Sequence, residues 1–225
     1  MNDTQAPLKL KFKILLISLY AILCACSEGD KVENKRIFIG NDYNGVKSTK
    51  AIELLKLGDK NINDQKNEVA LEYYLKADIV EPNNATILNS MANTEFFLGK
   101  TEQSFSNFKK AIEIDSSYLQ TYASYGTCLG ENKRYKEAIE ILKLGYKKSS
   151  PKQFVHYALS FNLAIYYYKI DDCSNANDYI KIALKNKFKS EYFDMETTKV
   201  AKIIAKKCQH CTSTHFKISR KLNKC

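Results

Sequence analysis

The sequence predicts an all-α solenoid: about four helical hairpins followed by a C-terminal capping helix. Three observations predict it. Gly58, Ala92 and Gly126 stand 34 residues apart, and Ala164 follows 38 later. Twelve residues after each comes a small residue (Ala70, Ser104, Ala138, Ala176). Four further on comes a bulky apolar one (Tyr74, Phe108, Leu142, Ile180), and three beyond that a small one again (Ala77, Ala111, Gly145, Ala183). Only eight Gly and three Pro occur in 225 residues, as a mostly helical chain requires. A fixed period of this length marks a helical repeat array.

The first element is an address. Lys9, Lys11 and Lys13 precede the apolar run Ile14 to Leu23, which is the build of a secretory signal peptide. The run is too short to span a bilayer, which takes about 20 residues. Leu23-Cys24-Ala25-Cys26 then resembles the bacterial lipobox. That resemblance implies cleavage after residue 25 and a lipid on Cys26, whose thiol accepts the diacylglyceryl group as a thioether. Ser27 follows where an Asp would signal retention at the inner membrane, so an outer-membrane destination is expected. Residues 26–50 hold Gly29, Gly40 and Gly45 among Asn and Lys and read as a flexible tether.

The repeats follow over 51–190, as units 51–84, 85–118, 119–152 and 157–190. Leu57-Gly58, Ala70, Tyr74, Ala77 and Pro82 of the first unit resemble the tetratricopeptide repeat (TPR). Two antiparallel helices approach closely where small side chains face each other, and the bulky residue fills the gap one turn along. Proline stops the second helix because it lacks an N–H and clashes with the turn before it. The second unit repeats the pattern with Leu88, Met91, Ala92, Ser104, Phe108 and Ala111, with Gly99 at its inner turn. The third has Tyr122, Tyr125, Gly126, Ala138 and Leu142, with Gly145 in the usual Ala place. The fourth has Leu163, Ala164, Tyr167, Ala176, Ile180 and Ala183 after four extra residues. Ser149-Ser150-Pro151 is expected to cap and start its first helix early, absorbing them in one turn.

Residues 191–207, with Phe193, Val200, Ile203 and Ile204 at helical spacing, read as an amphipathic helix sealing the array's last apolar face. Lys199, Lys202, Lys206 and Lys207 are expected mainly outward. A Cys- and Lys-rich tail, 208–225, ends the chain. An exported protein is allowed disulfides. The second helix of the fourth unit starts near Cys173, and the antiparallel capping helix ends near Cys208. Their far ends meet, so a Cys173–Cys208 disulfide is expected. Cys211–Cys225 would then tie the tail, and Cys128 would be a buried reduced thiol.

Chemistry finds little support. Cys208-x-x-Cys211 with His210 and His215 raises a metal or redox site, but zinc modules bring a second well-spaced ligand pair. Cys208 at a helix C-terminus also sits where the dipole disfavours a thiolate. No metal, cofactor or catalytic set is expected, since nothing converges on one pocket. The net charge of +10 is spread over the helices. Without a compact basic stripe, nucleic acid is not an expected partner.

The TPR resemblance implies that the first helices of successive units line a concave, partner-binding face. Counting along them gives Ile52, Leu55 and Asp59; Asn89, Asn93 and Phe97; Gln120, Ala123 and Thr127; Phe161, Ile165 and Tyr168. Amides there can bond an extended backbone, and aromatics can anchor it. Asn89, Asn93, Phe97, Gln120, Thr127, Phe161 and Tyr168 are the candidate contact residues. Leu55 and Asp59 stand where the family's cationic clamp for chaperone tails carries Lys and Asn, so that ligand is disfavoured. The expected function is a non-catalytic protein–protein scaffold, lipid-anchored in a bacterial envelope. A Cys/His metal or redox protein and a surface-displayed polymer binder are the alternatives.

Overall fold

A computed structural model describes residues 43–185 and 194–208. The signal, the lipobox with Cys26, and Cys211, His210, His215 and Cys225 lie outside the described residues. Within them every regular element is a helix. The order is α1 (Thr49–Asn63), α2 (Asn67–Val80), α3 (Ala85–Phe97), α4 (Thr101–Ile114), α5 (Leu119–Glu131), α6 (Tyr135–Lys148), α7 (Phe154–Lys169) and α8 (Cys173–Lys185). Residues 194–208, α9, are also helical. The chain is an all-α, TPR-like solenoid of four hairpins: α1/α2, α3/α4, α5/α6 and α7/α8.

The hairpins turn in one way. Each first helix ends two residues before a residue in the left-handed region: Gln65, Gly99, Lys133 and Asp171, with φ of 60°, 74°, 61° and 62°. These four occupy the same place in each unit. Only one is glycine, although a side chain at positive φ costs on the order of 1 kcal/mol. N-terminal caps are less regular. Ser48 Oγ accepts from the Ala51 N–H at 3.3 Å, and Asn84 Oδ1 accepts from the Thr86 and Ile87 N–H groups at 3.0 and 3.3 Å.

The repeating residues do what their size requires. The ring of Tyr74 fills the space in front of Gly58, where a Cβ would lie 2.2 Å from the ring. Ala70, Ser104, Ala138 and Ala176 are all buried, as are Ala77, Ala111, Gly145 and Ala183. Each large side chain sealed between hairpins contributes roughly 1.5–3 kcal/mol. Gly145 departs from the pattern for a visible reason. Across from it stands Tyr122, where the first two units carry Leu54 and Leu88. A Cβ on Gly145 would sit 2.6 Å from Tyr122 Cβ.

The curvature is set by which helices touch. Successive first helices pack on one another, α3 on α5 and α5 on α7, whereas the second helices are in contact with their hairpin partners and the next first helix. First helices therefore lie on the inner side and second helices on the outer. The four extra residues are absorbed differently from the expectation. Ser149 is the C-cap of α6, and Pro151 lies in the turn after it. The N-cap of α7 is Gln153, whose Oε1 accepts the Ser150 N–H at 2.8 Å, so α7 gains its length without Ser149 or Pro151.

The described residues up to 205 belong to one compact unit, which holds the array, and 206–208 belong to another. Thr197, Val200, Ile204 and Cys208 make the buried stripe of α9, and Lys199, Lys202 and Lys206 are exposed. Thr197 Oγ1 and Tyr157 OH of α7 are 2.7 Å apart.

One segment departs from the tether reading. Residues 43–48 are strapped across the first two hairpins. The Glu81 carboxylate accepts the N–H groups of Lys47 (2.9 Å) and Ser48 (2.7 Å). Asn84 Nδ2 donates to Gly45 O at 2.9 Å, and Thr86 Oγ1 donates to Asn44 O at 2.9 Å. Tyr43 and Val46 pack on the first core cluster. Composition alone reads this stretch as loose because its bonds are made by its backbone, which no residue type announces.

Candidate protein-binding face

The inner side is built from α1, α3, α5 and α7. A polar ladder runs between successive first helices. Asn93 Nδ2 donates to Asn89 O at 2.9 Å and lies 3.3 Å from Ser124 Oγ of α5. Asn162 Nδ2 of α7 donates to Thr127 Oγ1 at 2.9 Å, and that hydroxyl donates in turn to Ala123 O at 2.8 Å. The ladder ties neighbouring repeats in register while leaving Asn93, Thr127, Ser124, Phe97 and Gln120 half-buried.

The other candidates lie deeper than expected. Asn89 and Phe161 are each 3% exposed, and Tyr168 is buried as well; so are Leu55, Ala123 and Ile165. Counting positions along a helix treats it as packed on one side. Here α5 and α7 each pack on a neighbouring first helix as well as on second helices, which closes flanks that the count leaves open. Phe161 stacks on Tyr157 with ring centroids 6.0 Å apart and belongs to the packing around α7. The side-chain Oδ1 of Asn89 is buried without a hydrogen-bond partner among the described residues. Asp59, read as lining the face, is engaged by the phenols of Tyr74 (2.6 Å) and Tyr43. Burial first, and then the Asp59 carboxylate, push both phenol pKa values well above their ordinary value.

The structure adds a feature that periodicity does not report. A cleft of about 450 Å³ opens between the strap and the starts of α5 and α7. It is lined by Asn44, Gly45, Asp115, Tyr118, Gln120, Gln153 and Phe154. It takes one candidate, Gln120, and joins it to residues from three separate segments. The only sequence signal for it is the cluster of turn-forming residues at Asp115-Ser116-Ser117. Sequence reasoning also misses Glu95 on α3, 1% exposed. Its carboxyl is pushed up by burial, opposed by the Asn107 amide 2.8 Å away and by Lys100.

One serine–histidine contact joins the end of α6 to α7. Ser149 Oγ is 2.7 Å from His156 Nδ1. The serine hydroxyl also lies 2.8 Å from Tyr146 O, a second acceptor for its proton, and the direction of its bond to the imidazole follows the ring tautomer. The histidine also stacks on Tyr146 at 4.6 Å. Among the described residues no cluster of three or more His, Cys, Asp and Glu could hold a metal. Cys173 and Cys208 are each disulfide-bonded, and Cys128 is a buried reduced cysteine. No helix among the described residues is long and apolar enough to cross a membrane.

No known family model matches the chain. Two curated relatives share the repeats. The small glutamine-rich tetratricopeptide repeat-containing protein 2 of Saccharomyces cerevisiae is 31% identical over 114 residues, 51% of this chain and 33% of its own length. Its namesake in Mycosarcoma maydis is 26% identical over 129 residues, 57% of this chain and 36% of its own. The chain thus spans about a third of the relatives it matches. Solved structures agree on architecture. PilF of Pseudomonas aeruginosa superposes with a TM-score of 0.60 at 18% identity, covering 71% of this chain and 72% of that one. A thermophilic TPR protein of Thermus thermophilus gives 0.57 at 17%, covering 67% and 80%. MamA of Desulfovibrio magneticus gives 0.56 at 16%, covering 80% and 98%. What these solved structures share with this chain is the TPR-like helical fold.

Proposed function

We propose that the protein is a non-catalytic scaffold that binds an extended protein or peptide segment on the inner face of its solenoid. The observation that carries this is the run of half-buried polar and aromatic groups on successive first helices: Asn93 and Phe97, then Gln120, Ser124 and Thr127. Asn93, Ser124 and Thr127 are held in place by the inter-repeat ladder, so they meet a ligand pre-ordered, at low entropic cost. The amides suit a peptide backbone and Phe97 suits an apolar anchor.

We further propose that the scaffold is tethered by a lipid on Cys26 in a bacterial envelope, at the outer membrane. The lipobox-like Leu23-Cys24-Ala25-Cys26 supports this. Disulfide-bonded Cys173 and Cys208 also support an oxidising compartment. Crosslinking in native membranes followed by mass spectrometry tests the scaffold. A protein adduct lost in Asn93→Ala/Phe97→Ala is expected, and recovery of no protein partner overturns the reading. Labelling with a lipid precursor tests the anchor: label absent from Cys26→Ala is expected, and unchanged membrane partitioning of that variant refutes it.

A further inference from the structure

Three repeat places recur at each seam between hairpins: one late in a second helix, one on the first helix that follows, and one on the second helix after that. At the last seam they hold Tyr146, Tyr167 and Tyr179. Tyr179 stacks on Tyr167 with ring centroids 5.6 Å apart and meets Tyr146 edge-on at 5.3 Å. At the first seam they hold Asp78, Glu95 and Asn107, and the Asn107 amide donates to Glu95 Oε2 at 2.8 Å. The middle seam, between α4 and α6, carries Ile112, Leu129 and Ile141 instead, and a cleft of about 290 Å³ opens there. Tyr125 and Leu129 are its buried lining, while Ile112 and Ile141 are half-buried. Exposed Lys109, Glu113, Glu137 and Glu140 form its rim. Glu137 pairs with Arg134, whereas Glu113 and Glu140 make no ion pair among the described residues. The corresponding rim is Leu75, Ile79, Gln103 and Ser106 at the first seam, and Lys143, Lys147, Asn175 and Asp178 at the last. A net acidic rim therefore belongs to the middle seam alone.

We propose that this cleft docks a protein segment by taking in a phenylalanine or tyrosine ring flanked by lysine or arginine. The chain's own last seam is the template for the ring. Where the three places are aromatic, rings from the chain fill the seam; where they are aliphatic, a cleft remains for a ring supplied from outside. Such a ring lies against Ile112, Leu129 and Ile141 and meets the aromatic edge of Tyr125. Charge complementarity sets the flanks. Glu113 and Glu140 stand unpaired at the rim, on a chain whose net charge is +10, so the rim attracts cations that the rest of the surface repels. An apolar pocket with a few charges around it is the make-up of an anchor site. The cleft is on the second helices, on the outer side of the array, so it leaves the inner face open and does not depend on the scaffold reading.

The probe is the peptide acetyl-Lys-Phe-Lys-amide, titrated into the purified full chain isotope-labelled at its Ile and Leu methyls. Saturable NMR shifts are expected at Ile112, Leu129 and Ile141, with a Kd of about 1–10 mM, the range open to so small a ligand. Acetyl-Lys-Ala-Lys-amide is expected to bind at least about tenfold more weakly, because it buries no ring. Ile112→Tyr/Ile141→Tyr, which installs the residues of the last seam, is expected to abolish the shifts at Leu129 while keeping or raising the melting temperature. Glu113→Gln/Glu140→Gln changes two exposed side chains and leaves the packing alone; it is expected to weaken binding by about fivefold. The proposal is overturned if no methyl shifts by about 20 mM peptide. It is overturned equally if the alanine peptide binds as well, if the tyrosine variant still binds, or if the glutamine variant binds like the parent. Shifts confined to Ile52 or Ile165, on the inner side, also overturn it and leave the scaffold reading standing.

Discussion

Gly145→Ala gives a direct test of how repeats are fitted together. In the other hairpins this place is Ala77, Ala111 and Ala183, so the pattern predicts that alanine is welcome. Helix propensity agrees, since alanine in a helix interior is favoured over glycine by about 0.8–1.0 kcal/mol. The structure predicts the opposite sign. The new Cβ would lie 2.6 Å from Tyr122 Cβ, 3.0 Å from Tyr122 Cγ and 3.2 Å from Leu159 Cδ2. Ordinary carbon contacts are about 3.5–4.0 Å, so a shift on the order of 1 Å is needed. The obstructing atom is Tyr122 Cβ, which moves only with its helix. Overpacking of this kind costs about 1–3 kcal/mol, and subtracting the propensity gain leaves a net loss of up to about 2 kcal/mol. The cycle with Tyr122→Gly isolates the cause, because it removes the obstructing Cβ, which a leucine would keep. Tyr122→Gly alone costs buried ring area and helix propensity, and Gly145→Ala added to it is expected to be neutral or stabilising. The coupling energy is then about 1–3 kcal/mol, read from urea or thermal unfolding followed by circular dichroism. A Gly145→Ala variant more stable than the parent, or an effect independent of residue 122, refutes the close-approach argument.

Three further outcomes follow from the geometry. The Glu81 carboxyl is raised by burial, but the Ser48 and Lys47 N–H groups, the Asn84 amide and the Lys47 charge together hold it below the usual carboxylate range. A depressed folded value means the strap's stabilisation is present above the ordinary carboxylate pKa and is lost as pH falls through the folded value. Hydrogen-exchange protection at the Lys47 and Ser48 amides is expected to fall over that acid range, and Glu81→Gln is expected to remove the pH dependence; protection unaffected by either counts against the strap. Lys133→Gly, which relieves a side chain held at φ 61°, is expected to raise stability by about 0.5–1 kcal/mol, and a lower melting temperature would contradict that. Non-reducing peptide mapping is expected to recover Cys173 joined to Cys208. That loop, in the chain-entropy account, is worth about 3–4 kcal/mol, and a Cys173 peptide joined to Cys211 or Cys225 would replace the pairing.

Burial also lowers the pKa of His156 below its ordinary value of 6.5. Protonation is therefore linked to unfolding, and stability is expected to begin falling as pH drops below that ordinary value. A His156→Asn variant whose thermal unfolding shows the same pH dependence over that range would rule the ring out as its source.

The period of 34 was enough to identify four hairpins and the small and bulky residues that join them, because those residues answer to sterics within one hairpin. Steric demands between two helices close in sequence leave a mark at fixed spacing. The inner face was only partly legible. Asn93, Phe97, Gln120 and Thr127 stay accessible, but Asn89, Phe161 and Tyr168 are buried by packing that no single helix foretells. The strap over 43–48 was illegible for another reason: its bonds run from backbone groups to Glu81, Asn84 and Thr86, which lie some 30 to 40 residues away. Likewise, Gly145 reads as a lapse in the pattern until Tyr122 is seen against it. What the sequence determined by itself was the unit, since periodic size is a local property of the chain. Which faces of those units are covered, and which are left for a partner, was decided only by how the hairpins stack, because burial depends on neighbours distant in sequence.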